Sequence, residues 1–263
     1  MSNADTAATI DDVLTYWDRR PCNIRHSTRE IGTKEYFDEV EARKYFVEPH
    51  IPEFAAFSRW RGRSVLEIGC GLGTDAVNFA RAGARYVGVD VSEVSLALAR
   101  KRFEVFGLAG ELLCSNAETL PASLRPASFD LVYSFGVIHH TPQPRAVIES
   151  ARRVIRPDGE LRIMLYARNS WKAIMIEEGF DQPEAQSGCP IAFTYSDDEV
   201  RELLAGAFDV VDIRQAHIFP YIIEKYVKYE YQRQPWFEAM PPELFAALER
   251  RLGWHLLITA RPR

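Results

Sequence analysis

The stretch that most constrains this chain is residues 64–73, SVLEIGCGLG. A short apolar run ends abruptly in glycines at 69, 71 and 73, and DAVNFARAG then continues as an amphipathic helical pattern. A strand passing through closely spaced glycines into a helix presents backbone N–H groups to a ligand. Glycine is required there because positive φ, or close approach of a ligand, leaves no room for a Cβ. The same alternation recurs downstream. Strand patterns fall at residues 86–91, 111–117, 129–136 and 160–166, and helical patterns follow residue 92 (with Ser92 as N-cap) and residue 136. Strands and helices alternating through short loops imply right-handed βαβ units and a parallel sheet, hence an α/β fold.

The glycine loop does not by itself name its ligand. A dinucleotide site wants G-x-G-x-x-G/A, whereas here Thr74 stands at the third position and Gly73 comes one residue early. Asp90, at the end of the second strand, suits ribose hydroxyls in either a dinucleotide or another nucleoside ligand. Glu67, an acid inside the first strand, weakens the dinucleotide reading.

With these residues in view, the chain resembles the class I S-adenosylmethionine-dependent methyltransferases, and most nearly the small-molecule branch typified by ubiquinone and menaquinone biosynthesis. The resemblance rests on Glu67-Ile68-Gly69-Cys70-Gly71-Leu72-Gly73, Asp90, Asn116-Ala117-Glu118 after the third strand, and SFGVIHHTPQP (134–144) after the fourth. RVIRPDGELRI (153–163) and the late strand WHLLITARP extend it. It implies a Rossmann-like, doubly wound, seven-stranded and mostly parallel sheet with an antiparallel last strand. It also implies S-adenosyl-L-methionine as cofactor. Gly69, Cys70, Gly71 and Gly73 would pass under its methionine part, with Glu67 beside them. Asp90 would take the ribose hydroxyls and Val91 the adenine face. Asn116 stands where the family usually has Asp and would receive the adenine amino group. Ala117 and Glu118 would flank the adenine, and Phe135 and Gly136 would lie under the sulfonium.

Methyl transfer from a sulfonium is an in-line displacement of an already activated group, so a protein need supply little beyond alignment, exclusion of water and sometimes a base. His140 and His139 follow the fourth strand at the cofactor-facing edge and are the candidate catalytic bases; the alternative is a structural role for the pair. No spacing suggests a third ligand beside them, and no metal is expected. An O or N nucleophile on a small-molecule metabolite is the expected acceptor.

The fourth strand ends in SFGV, unlike the D/N-P-P-Y signature used on nucleobases, and the net charge is −5. Nucleic acid is therefore not an expected partner. The four cysteines are far apart with no C-x-x-C pair, as in a reduced, cytoplasmic protein. No stretch of 18 apolar residues and no basic, then apolar leader occurs, so no membrane association is expected.

The rest of the chain surrounds this core. Residues 1–9 read as frayed; 1–61 as an N-terminal helical cap; and 62–263 as one domain with insertions at 168–195 and 219–253. Tyr16, Trp17, Arg20, Arg25 and Tyr36 in the cap, and Tyr221, Tyr226 and Tyr229 in the late insertion, are candidate substrate residues. Paired Arg forks suit an anionic substrate group, although a solvated basic surface or aromatic packing would explain the same residues. Monomer and homodimer are both compatible. Two other functions remain open: an NAD(P)-dependent oxidoreductase, and a catalytically silent cofactor-binding partner subunit.

Overall fold

Alternation along the first strand decides what each face of the sheet must bury. In the computed structural model, which describes residues 8–180 and 188–263, strand β1 (Ser64–Ile68) sends Val65 to one face and Leu66 and Ile68 to the other. Both faces are covered, as a parallel sheet demands. Eight strands form one sheet: β1, β2 (Arg85–Asp90), β3 (Glu111–Cys114), β4 (Phe129–Phe135), β5 (Ile155–Ala167), β6 (Thr194–Tyr195), β7 (Phe208–Ala216) and β8 (His255–Pro262). Their spatial order is β3-β2-β1-β4-β5-β8-β7. Strand β8 runs antiparallel to both β5 and β7, and the other pairings are parallel. The seven strands expected from the sequence make up this continuous path; the eighth, β6, is a two-residue strand paired with the end of β5.

The chain builds outward from β1 to β3 and then returns to place β4 on the other side of β1. A crevice opens where the winding direction reverses, at the carboxyl ends of β1 and β4. Helix α4 (Thr74–Arg81) leaves the glycine loop, and α5 (Glu93–Phe106) follows β2 with Ser92 as its cap. Helices α6 (Pro144–Val154) and α8 (Asp197–Leu204) pack on the Leu66 face.

Three helices precede β1: α1 (Ile10–Arg19), α2 (Lys34–Val47) and α3 (His50–Ala55). Thr9 closes a capping box with Asp12, so the expected fraying does not reach residue 9; residues 1–7 lie outside the described part. The 168–195 insertion contains α7 (Trp171–Glu177), with Ser170 as its cap, and β6. Its residues 181–187 lie outside the described part. The 219–253 insertion carries three helical pieces: α9 (Ile223–Tyr226), α10 (Pro235–Glu238) and α11 (Pro242–Leu252).

Helix α2 is fastened to the sheet through polar side chains as much as apolar ones. Its Tyr36, Phe37, Val40 and Arg43 are buried along one side. Arg102 of α5 is fully buried and donates to the Thr74 hydroxyl (2.7 Å), the Phe37 carbonyl (3.0 Å) and Glu41 (3.0 Å). One guanidinium thus ties α5 to α2 and to the first turn of α4. Glu41 keeps a second partner in Arg81 (2.7 Å), so loss of Arg102 would not strand its charge. Arg102→Ala should therefore lower stability by about 2–4 kcal/mol through lost packing and hydrogen bonds. Urea unfolding of the two proteins measures this, and equal midpoints would contradict it.

Candidate functional site

Gly69, Gly71 and Gly73 all have positive φ, of 76°, 51° and 73°, and the first two need glycine for different reasons. A Cβ on Gly69 would lie 2.1 Å from Val137 Cγ2, so the loop after β1 touches the loop after β4 only because that residue has no side chain. A Cβ on Gly71 would meet nothing within 4 Å and would point into open space. The Gly71 N–H donates to Asp90 Oδ2 (2.8 Å), and Ser92 N–H to Asp90 Oδ1 (2.9 Å). Each carboxylate oxygen keeps acceptor capacity. Burial pushes the Asp90 pKa up, against these N–H groups, which pull it down.

Around this loop lies a cavity whose wall includes ten of the twelve cofactor candidates: Glu67, Gly69, Cys70, Gly71, Asp90, Val91, Asn116, Ala117, Phe135 and Gly136. Two do not line it. Gly73 instead packs beneath the start of α4, 3.2 Å from Ala99 at its Cβ position. Glu118 turns away to accept the Gln143 N–H (2.7 Å). The Asn116 side-chain oxygen accepts the Glu118 N–H (2.9 Å), which leaves one lone pair free.

Deeper in, acids cluster. Glu67, buried, receives the Tyr86 hydroxyl (2.7 Å), and its pKa is raised well above the usual range by burial and by nearby Asp75. Asp75 accepts from Lys44 Nζ (2.7 Å), the Tyr45 hydroxyl (2.9 Å) and the Tyr133 hydroxyl (3.0 Å). Burial pulls the Lys44 pKa down, but Asp75 and Glu48 outweigh it, and the net shift is upward.

The first cavity continues into a wider one, and Trp17, Cys22, Asn23, Lys44, Phe135, Gly136 and His140 line both. The wider cavity is walled by aromatic side chains, among them Tyr166, Trp171, Phe219, Tyr221, Tyr226 and Trp254. His140 stands at the junction. Its Nδ1 lies 2.6 Å from the Ile191 carbonyl, which can only accept, so Nδ1 carries the proton and Nε2 keeps its lone pair. Burial lowers its pKa to about 4. His139 is a correction to the expected pair. It is fully buried, lines neither cavity and stacks on Tyr166 at 3.8 Å, because consecutive residues of the short turn 138–140 face different ways.

The candidate substrate residues divide. Trp17, Tyr221 and Tyr226 line the wider cavity. Tyr16, Arg20 and Arg25 line a neighbouring recess with His26 and Arg43. Tyr36 is fully buried, with its hydroxyl on the Ile24 carbonyl (2.8 Å), and so is a packing residue. Tyr229 lines none of these cavities; its hydroxyl donates to the Arg25 carbonyl (2.8 Å) and its ring faces Arg43. Sequence reasoning missed Lys44, Glu48, Lys172, His217 and His255, all of which line the wider cavity. No local spacing could have found them, since they come from α2, α7 and the ends of β7 and β8.

Residues 66–163 match a family model described as a methyltransferase domain. A ubiquinone biosynthesis O-methyltransferase of Idiomarina loihiensis is 36% identical over 112 residues, 42% of this chain and 46% of that protein. An O-methyltransferase of Pyrenophora dematioidea is 30% identical over 168 residues, 60% of each chain. The chain thus spans about half the length of the curated relatives it matches. Among solved structures, the magnesium protoporphyrin IX methyltransferase of Synechocystis PCC 6803 with bound SAH superposes with a TM-score of 0.62 at 15% identity, covering 97% of this chain and 100% of that one. The cyclase SpnF superposes equally, with a TM-score of 0.62 at 19% identity and 97% coverage of each chain.

Two outcomes follow from the geometry. Gly69→Ala should destabilise the fold by several kcal/mol, about 1–2 from the left-handed backbone and the rest from overlap with Val137. Gly71→Ala should cost only that backbone term while obstructing ligand entry. Calorimetric binding paired with denaturant unfolding separates the two, and equal destabilisation would refute the distinction. The second outcome concerns pH. Burial lowers the pKa of all six histidines, His26 to about 3 and His140 to about 4. The unfolded chain takes up those protons first, so stability is full above about pH 6.5 and falls as pH drops toward the folded values. Each such histidine contributes a slope of about 1.4 kcal/mol per pH unit. Glu48, Glu67, Asp90 and Glu249, pushed up by burial, act in the opposite sense. Six histidines against four acids should leave the unfolding midpoint lower at pH 5 than at pH 7, and a higher midpoint at pH 5 would contradict the assignment.

Proposed function

On the premise that residues 66–163 are a methyltransferase domain on the class I fold, we propose that the chain transfers a methyl group from S-adenosyl-L-methionine to an O or N nucleophile of a small-molecule metabolite. One observation carries this reading: two cavities join at Phe135, Gly136 and His140, one built on the glycine loop and Asp90, the other walled by aromatics. A nucleoside-bearing donor in the first would place its reactive end at that junction. The residues fit such a donor. Gly71 leaves open space where a side chain would stand, Asp90 retains two acceptor sites, and the carboxyl groups of Glu67 and Asp75 line the cavity beside the loop. When bound, the cofactor supplies a methyl group already activated on a sulfonium.

The chain's own residues then bind, orient and exclude water. Asp90 would accept the ribose hydroxyls, with Val91, Asn116 and Ala117 about the adenine. Gly69, Cys70 and Gly71 would run under the methionine portion. His140, neutral near pH 7, holds its Nε2 lone pair at the junction as acceptor for the nucleophile's proton. Its low pKa makes it a weak base, suited to an acceptor that loses its proton only as the new bond forms. Trp17, edge-on to His140 at 5.5 Å, would seal the junction from solvent.

Residues 1–61 read as a helical cap on a 62–263 domain, because α1 and α2 lay Trp17 and Lys44 over both cavities. Tyr221 and Tyr226 would face the substrate. An anionic substrate group is supported by the recess lined by Arg20, Arg25 and Arg43, which shares Trp17, Cys22 and Asn23 with both cavities. Among the described residues no helix is long and apolar enough to cross a membrane. A cytoplasmic monomer or homodimer is the matching proposal.

Calorimetry with S-adenosylmethionine and, separately, NADH tests the cofactor. Binding of the sulfonium alone is expected; binding of NADH alone would sink the proposal in favour of an oxidoreductase. Asp90→Ala should weaken cofactor binding by about 1–3 kcal/mol. Transfer of labelled methyl across a metabolite panel distinguishes an enzyme from a silent cofactor-binding subunit.

A further inference from the structure

We propose that Glu48, His217 and His255 form a binding site for a divalent transition-metal ion of the zinc type, in the wall of the wider cavity. Glu48 follows α2, His217 follows β7 and His255 begins β8, so the three ligands converge from distant segments. Their ligating atoms all lie within 4.8 Å of one another. His255 Nε2 stands 3.8 Å from Glu48 Oε1, too far for a hydrogen bond. Two ligands on one tetrahedral zinc, with bonds of about 2.1 Å, stand about 3.4 Å apart. Shifts of about 1 Å or less would therefore close the site.

The second argument is orientation. His255 Nδ1 lies 3.0 Å from His50 Nε2. A metal-bound histidine commonly gives its other ring nitrogen to a hydrogen-bonding partner, which fixes the ring and its tautomer. With His255 Nδ1 as the donor to His50 Nε2, one of the two tautomers this pair allows, His255 Nε2, the nitrogen toward Glu48, keeps its lone pair. His217 stacks on His255 at 4.6 Å and is held at a φ of 72°, a conformation unusual for a residue with a side chain. Among the described residues no hydrogen bond reaches the Glu48 carboxylate or the His217 ring.

Donor chemistry selects the ion. Two imidazoles and one carboxylate suit zinc, cobalt or iron, whereas magnesium and calcium want more oxygen ligands. Lys44 and Lys172 also face this cavity, which further disfavours a hard ion that depends on several carboxylates. Three protein ligands leave a position open toward the cavity for an oxygen of water or of a small molecule.

The test uses the full chain, incubated with zinc chloride and exhaustively dialysed, then with cobalt(II) chloride. One zinc per chain by elemental analysis is expected, with visible cobalt absorption of tetrahedral or five-coordinate character. Glu48→Gln and His217→Gln, both at the cavity wall, should weaken binding at least 100-fold, and His50→Gln by 10–100-fold. Cys22→Ser should leave it unchanged, with circular dichroism confirming that each variant folds. No retained zinc in the wild-type chain would overturn the proposal, as would equal affinity in Glu48→Gln and His217→Gln. Binding is read without any methyl-transfer assay, so the two functional readings can fail separately.

Discussion

The buried carboxylate of Asp75 is the contact on which the working part of this molecule depends. It sits in the first turn of α4 and accepts from Lys44 and Tyr45 of α2 and from Tyr133 of β4. An acid so deeply buried is stable only when surrounded by donors. Those donors pull the N-terminal helix down across the carboxyl ends of the central strands. Once α2 is held there, Lys44 reaches both cavities and Glu48 reaches the far wall of the wider one. Without that clamp the glycine loop would open onto solvent rather than into an enclosed cleft.

A second dependence runs through backbone rather than side chains. Gly69 allows the loops after β1 and β4 to touch, and Asp90 ties the Gly71 amide to the amide that starts α5. The reversal of winding between β1 and β4 opens the crevice; these two contacts set its floor. Polar groups at this edge remain only partly satisfied by protein, as expected where a ligand completes the shell. The likeness to both a methyltransferase and a cyclase at a TM-score of 0.62 shows how widely such a fold can be used. The chemistry must therefore be argued from the side chains above it.

What could be read from residues alone follows how local each signal is. Strand alternation, the helix cap at Ser92 and the three glycines depend on neighbours within a few positions, and all appear as expected. Ten of twelve cofactor candidates line one cavity because they sit at the ends of consecutive strands. Gly73 and Glu118 depart from the pattern through contacts distant in the chain, Gly73 packing against Ala99 of α5 and Glu118 accepting the Gln143 N–H. Tyr36 and His139 were chemically eligible for the site, but burial diverted them, since neither type of side chain announces which way its backbone will aim it.

The sequence by itself determined the α/β class, the order of the parallel strands' glycine and acid positions, and the edge at which the glycine loop and Asp90 line a cavity. Each of these rests on backbone periodicity and φ preference, which are properties of short segments. Only the tertiary structure decided which aromatics wall the wider cavity and that Glu48, His217 and His255 meet. Their separation in the chain exceeds 150 residues between the first and second. Such meetings depend on the packing of whole elements, and one sequence carries no short-range record of that packing.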